Sequence, residues 1–341
     1  MTGWWIIAGE HATRGEASVL VTVCSVAGSA PREAGTKMLV WRDGQHGTIG
    51  GGNLEYVVLD QARKMLAGEA AHRFQSYPLG PLLGQCCGGR VGMLLERIDA
   101  GTTSWLAQIG AAEDSGEAYA VHSVLEPGRV AKRVLGRNDV RALPADAVVL
   151  TARDGARVDP AAAKIATDGL SIVERIDPRP LLLMFGAGHV GRGLAPIAAS
   201  LPLRTRWYDT RLEFGAVEGA LQPVIADDLV AQATAAPAGA LYLVFTQSHA
   251  LDYDLTRAVL ARGDFLYCGL IGSATKRARF EKRLLADGIA HAMLPRLICP
   301  IGNIGLASKD PAVLAVAVAA ELMFTIEARA VARSLKAVHV R

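Results

Sequence analysis

The chain has few cysteines, few aromatic side chains and no decisive charge. Its 341 residues include five cysteines (Cys24, Cys86, Cys87, Cys268, Cys299), 6% aromatics and a net charge of +3 at neutral pH. An odd cysteine count without a CxxC pair speaks against a disulfide framework and a structural zinc site. A charge this close to zero leaves no electrostatic footprint for nucleic acid. Internal repeats and low-complexity blocks are missing too. The opening "MTGWWIIAGEHATRG" lacks a positive region before an apolar core and a small-residue cleavage site, so export is not expected. The most apolar helical segment, "PAVLAVAVAAELMFTI", is interrupted by Glu321 and reads as too short to span a bilayer. The expectation is a cytoplasmic protein with reduced thiols and no membrane partner.

What is present is apolar material for two cores. Hydrophobic residues make up 51% of the chain, mean hydropathy is +0.24, and the length suits two domains. "DPRP" at 177–180 breaks helix and strand patterns and marks a linker between a domain over 1–176 and one over 181–341. In the first, "SVLVTVCSVAG" reads as a strand buried on both faces. "TKMLVW" and "HGTI" flank a hairpin turn at "RDGQ". "NLEYVVLDQARKML" reads as a helix capped by Asn53, with Glu55 suiting its first turn. "VGMLLERI", "YAVHSVL" and "RVAKRVL" are further strands. This half is α/β of mixed order, with no topology fixed by the sequence.

The second half is regular. Strands alternate with helices from "LLLMFGAGHVGRGLAPIAASL" onward, which implies parallel βαβ units. Gly186, Gly188 and Gly191 form GxGxxG between a strand and a helix, and Asp209 closes the next strand. Gly186 permits the tight turn, Gly188 lets amides approach a phosphate, and Gly191 lets helix and strand pack closely, while Asp209 suits a ribose hydroxyl. The pattern gives a Rossmann-like fold with a parallel sheet and a candidate site for a nucleotide or NAD(P). A fold does not fix its ligand, and Arg211 suits either an extra phosphate or solvent. "TQSHALDYD" offers Thr246, Gln247, Ser248, His249, Asp252 and Asp254, with a hydrogen-bonded loop histidine as the bland reading of His249. "IGSATKRARF" places Ser273 before a helix whose opening turns carry Lys276, Arg277 and Arg279. That is either an anion site or a capped helix with solvated charges.

Three loops of the first half carry the remaining chemistry. "GSAPREAGTKMLV" supplies Arg32 and Lys37. "TIGGGNLE" supplies Gly50, Gly51 and Gly52 ahead of a helix, resembling a phosphate cradle without P-loop spacing. "GQCCGG" sets Gln85, Cys86, Cys87 and Gly88 in yielding backbone. A thiolate there is a soft ligand for a sulfur-loving metal or a carrier of transferable sulfur, and Arg90 favours it electrostatically. The alternative is a pair of buried cysteines acting as small hydrophobes, which suits Cys24 and Cys268 better.

"SAPREAGTKMLV", "GTIGGGNLE", "GQCCGG", "LLLMFGAGHVGR", "YDTR", "GLIGSATKRARF" and "CPIG…DPAVLAVAVAAEL", in this order, resemble the XdhC/CoxI family over about residues 15–328. The resemblance implies an accessory protein that matures xanthine dehydrogenase. It would bind the molybdenum cofactor (molybdopterin), support its sulfuration with sulfur from a cysteine desulfurase, and aid insertion into the molybdenum-binding subunit of the dehydrogenase. It assigns Cys86 and Cys87 to the cofactor, through its metal or its sulfur; of the two, Cys86 is placed ahead because it adjoins Gln85 and lies farther from the glycine pair. Gln85, Gly88, Arg32, Lys37 and Gly50–Gly52 would be neighbours. One departure is Gln247, where the family often has histidine. The competing reading is an NAD(P)-dependent oxidoreductase using the second half. A third makes that half structural, supporting a homodimer through the apolar C-terminal helix.

Overall fold

The structure, a computed structural model, describes residues 3–338 except 81–87, 144–146, 163, 212, 214–218, 220, 307 and 309. The chain divides into two compact units between Pro178 and Arg179.

The N-terminal unit runs α1 (Trp4–Thr13), β1 (Ser18–Ala27), β2 (Lys37–Trp41), β3 (Gly44–Gly47), α2 (Gly52–Ala67), β4 (His72–Pro78) and β5 (Arg90–Ile98). It continues with α3 (Ser104–Ser115), β6 (Tyr119–Glu126), β7 (Arg129–Leu135), α4 (Arg137–Val140), β8 (Val148–Thr151) and β9 (Ser171–Ile176). Two sheets result, ordered β3-β2-β1-β5-β4 and β7-β6-β9-β8. β1 is buried from Ser18 to Ser25 because both its faces are covered. Val19, Val21 and Val23 pack with Leu54, Val58, Ala62 and Met65 of α2. Leu20 joins the cluster of α1 and α3, and Cys24 joins Leu94, Leu125 and Ile172. The buried α2 positions recur at helical spacing, so one stripe of that helix faces the sheet.

Two buried ion pairs cross between these sheets. Lys37 of β2 meets Glu174 of β9 at 2.5 Å, and Lys132 of β7 meets Glu96 of β5 at 2.6 Å. Removing one partner of such a pair strands a buried charge and costs about 3–5 kcal/mol.

Two local expectations need correction. The hairpin turn is Arg42–Asp43, with Gly44 already paired to Trp41. The N-cap of α2 is Gly51, at φ 73°, and Asn53 lies inside the helix. Only glycine takes that backbone region without strain.

The C-terminal unit contains β10 (Leu181–Phe185), α5 (His189–Ser200), β11 (Arg204–Asp209), β12 (Val224–Ile225), α6 (Leu229–Thr234), β13 (Leu241–Val244) and α7 (His249–Arg262). β14 (Tyr267–Leu270), α8 (Ala274–Ala286), β15 (Leu297–Ile298) and α9 (Pro311–Val338) complete it. Its six parallel strands are ordered β12-β11-β10-β13-β14-β15. That is the doubly wound order whose ligand crevice opens between the first and fourth strands, here β10 and β13.

α9 starts as expected, with Asp310 accepting from the Ala312 amide at 2.7 Å. Its length is a correction. Good helix formers in "EARAVARSLKAV" carry it well past Ile326. The stretch Pro311–Ala332 is long and apolar enough to cross a bilayer. It packs against α5, with Ala315, Val318, Ala319 and Leu322 buried in the core of this unit. Val316, Phe324 and Val331 are exposed.

Candidate functional site

Three loops of the N-terminal unit gather at one end of its larger sheet. Ala27 at the end of β1 pairs with Arg90 at the start of β5, so the adjoining loops leave side by side. Gly89 ties them together: its amide donates to the Ser29 carbonyl at 3.1 Å, and its carbonyl accepts from the Leu79 amide at 2.9 Å. A side chain on Gly89 would lie 2.2 Å from the Ser29 oxygen, so only glycine fits there. The glycine loop closes the group from the other flank. A Cβ on Gly50 would sit 2.5 Å from the Pro31 Cβ and 3.3 Å from the Arg32 Cγ.

The predicted site residues fare differently within this cluster. Gln85, Cys86 and Cys87 lie outside the described residues. Among the described residues, no atom lies within 4 Å of the position a Cβ would take on Gly88 or on Gly51. Arg32 is exposed and makes no hydrogen bond or ion pair among the described residues. Lys37 is committed elsewhere. Its ammonium donates to both carboxylate oxygens of Glu174, and the two side chains are 11% exposed each. Arg90 donates to the Ser76 hydroxyl at 3.3 Å.

The expected phosphate cradle already holds an anion of the chain's own. The Glu55 carboxylate accepts from the amides of Ile49 (3.0 Å) and Gly51 (3.1 Å), from the Thr48 hydroxyl and from Gln45. The Gly50 amide donates to the Thr48 hydroxyl. A first-turn carboxylate next to the positive helix end wins because it is tethered there. Partial burial is the largest single influence and pushes this carboxyl up; the Thr48 hydroxyl and the Gly51 and Ile49 amides together outweigh it and hold the group below its usual value. The sequence carried the signal, an acid four residues after Gly51, but the reach back onto the loop was not anticipated.

The other three cysteines are unreactive by position. Burial pushes the Cys24 and Cys268 thiols up to about 12. It also raises Cys299, against the opposing effect of Lys276. Thiolates, the reactive form, are therefore scarce at these three positions. Among the described residues no group of three His, Cys, Asp or Glu side chains converges as a metal site.

In the C-terminal unit the glycine fingerprint takes its expected place between β10 and α5. A Cβ on Gly191 would meet the Gly186 carbonyl at 2.4 Å, and one on Gly186, at φ 119°, would meet the Phe245 carbonyl at 2.4 Å. Gly188 has open space instead. Asp209 is turned inward: its carboxylate accepts from the Ala187 amide of the glycine loop and from the Arg211 amide and guanidinium. Burial is the largest influence and raises its pKa; the Arg211 and Ala187 hydrogen bonds prevail and lower it. Arg211 also donates to the Gln247 side chain at 3.0 Å and so bridges the crevice. The cavity left between Gly186, Asp209, Arg211 and Ser248 is about 30 Å³, a single water's share of liquid volume.

A larger cavity of about 340 Å³ lies beside it, lined by Gln247, His249, Asp252, Ser273 and Lys276. Its charges are internally matched. Fully buried Asp252 accepts from Lys276 at 2.6 Å and from the amide and hydroxyl of Thr246, while Lys276 also donates to the Ile271 carbonyl. Ser273 caps α8 by accepting from the Lys276 amide, and Ser248 caps α7 by accepting from the Leu251 amide. Asp252 and Lys276 are both candidates by sequence, but 24 residues separate them and their pairing has no local signature.

Two family models match the chain. One, the XdhC Rossmann domain, covers residues 182–322, and the other, the XdhC and CoxI family, covers residues 11–78. No curated protein matches. A crystal structure described as a xanthine dehydrogenase from Bacillus halodurans superposes over 95% of this chain and 96% of its own, with a TM-score of 0.70 and 20% identity. That likeness is one of fold. With a match in each of its two units, and the glycine fingerprint seated between β10 and α5, the chain belongs to the XdhC and CoxI family.

Proposed function

We propose that the chain is an accessory protein of a xanthine dehydrogenase-type enzyme. In this reading it holds molybdenum cofactor at the N-terminal loop cluster, supports its sulfuration and aids its insertion into the dehydrogenase's molybdenum-binding subunit. When bound, the cofactor supplies a soft metal centre at one end and a phosphate at the other. Arg32, exposed and unpaired among the described residues, suits the anionic end better than the loop amides that Glu55 already occupies. Gly51 and Gly88 leave room for close approach. Sulfur chemistry falls to Cys86 and Cys87, because the other three thiols are buried and held protonated. A cysteine desulfurase is the proposed sulfur source.

The observation that carries this reading is the convergence of Arg32, the glycine loop and Gly88 at the foot of the cysteine segment. The Arg211 bridge and the small crevice it leaves favour it over a nicotinamide-dependent oxidoreductase. The test is molybdopterin content after anaerobic purification and gel filtration. Wild type is expected to co-elute with molybdopterin, and the Cys86→Ala/Cys87→Ala variant to lose about 90% or more of it, the scale of loss for a supporting metal-site contact. Full retention by the double variant would overturn the reading.

A further inference from the structure

The opposite end of the N-terminal sheet carries a second cavity. It measures about 790 Å³ and lies among the end of α1, the β2–β3 turn, the last turns of α2 and the end of β5. This volume falls in the range of small-molecule sites. Arg63 on its wall is eleven residues past Gly52, hence about 16 Å along α2 from the glycine loop. It is separate from the end that carries the glycine loop and Gly88.

Its lining is chemically uneven. His11, nine-tenths buried, packs against Trp41 with ring centroids 4.8 Å apart and the planes tilted by 34°. His11 Nδ1 donates to the Glu16 carboxylate at 2.7 Å, and Nε2 makes no hydrogen bond among the described residues. Glu16 is spent on His11 and Arg14, which hold its carboxyl below the usual range. Arg97 is spent as well: it donates to the carbonyls of Met65, Leu66 and Gly68 and so neutralises the negative end of α2. Asp43 lies at the turn tip, 4.0 Å from Arg42 and 87% exposed, too solvated to dominate the field. Arg63 is different. It makes no hydrogen bond or ion pair among the described residues and lines the cavity beside the aromatic wall.

An aromatic wall, a ring nitrogen without a partner and an uncommitted guanidinium form a recognisable combination. We propose that this cavity binds a small aromatic anion, a planar ring bearing a carboxylate or phosphate. The ring lies against the His11–Trp41 pair and the anionic group is held by Arg63. Arginine suits this task because its planar fork pairs with a carboxylate or phosphate through two hydrogen bonds.

The test uses the full chain and isothermal titration with 2-naphthoate, alongside cyclohexanecarboxylate and 2-naphthalenemethanol. 2-Naphthoate is expected to bind one to one with a Kd of about 1 mM or tighter, the saturated acid and the neutral alcohol each about tenfold more weakly. Arg63→Gln and Trp41→Leu should each weaken 2-naphthoate about tenfold with the melting temperature preserved. If Trp41→Leu does not fold, the exposed Arg63 position decides alone. Equal binding of the planar and saturated acids, wild-type binding by a folded variant, or no binding at 10-fold above about 1 mM overturns the proposal. The Cys86→Ala/Cys87→Ala variant should bind 2-naphthoate as wild type does, which separates this site from the cofactor reading.

Discussion

At the residue scale, two carboxylates occupy positions that sequence patterns reserve for ligands. Glu55 fills the glycine loop of the N-terminal unit, and Asp209, on the crevice wall, is taken up by the Ala187 amide and Arg211. Motif spacing gave the loops, but not that the chain would answer its own free amides, since that depends on side-chain reach. Glu55 has a pH signature. Its carboxyl is held below the usual value in the folded chain, so its stabilisation is complete above the unfolded value of about 4.3 and fades as pH falls through the lower folded value. Glu55→Gln should therefore lower the urea midpoint at neutral pH, with the deficit shrinking steadily in acid below about pH 4. A deficit that stays constant with pH would show that the carboxylate charge is not what holds the loop.

At the scale of elements, the βαβ half was readable because each strand, turn and helix announces itself locally. Gly186, Gly188, Gly191 and Asp209 all sit where the fingerprint places them in the sheet order. The four-stranded sheet was readable only in part: β6 and β7 read as strands, but β8, β9 and the pairing did not. β6 pairs with β9 through Tyr119 and Ile176, and Lys37 finds Glu174 across 137 residues, partnerships with no periodic trace. Hence Lys37 read as a ligand neighbour and proved to be a buried tie. The glycines of the fingerprint also separate by task. Gly191→Ala forces a Cβ to within 2.4 Å of the Gly186 carbonyl, and such overpacking costs about 1–3 kcal/mol. Gly188→Ala meets open space and should stay within about 0.5 kcal/mol. Equal losses in urea unfolding would show that Gly188 is also a packing residue.

At the scale of the whole molecule, each unit has its own core. The C-terminal one assembles around Phe185, Tyr242 and Tyr253 on one side of its sheet and Met184, Trp207 and Leu322 on the other. Residues 179–341 expressed alone should therefore melt in one cooperative calorimetric transition, as a domain with its own core does. They should also carry no molybdopterin, because the loop cluster lies wholly in the other half. A fragment without a cooperative transition would mean that this core is insufficient by itself. The Lys37–Glu174 and Lys132–Glu96 ties have a practical consequence. Mobile ions screen exposed charges within about 10 Å at 0.1 M ionic strength but scarcely reach buried ones. A brine wash that loosens an anion from solvent-facing Arg32 should thus leave the sheets clasped, so the same preparation can be stripped and reloaded without refolding.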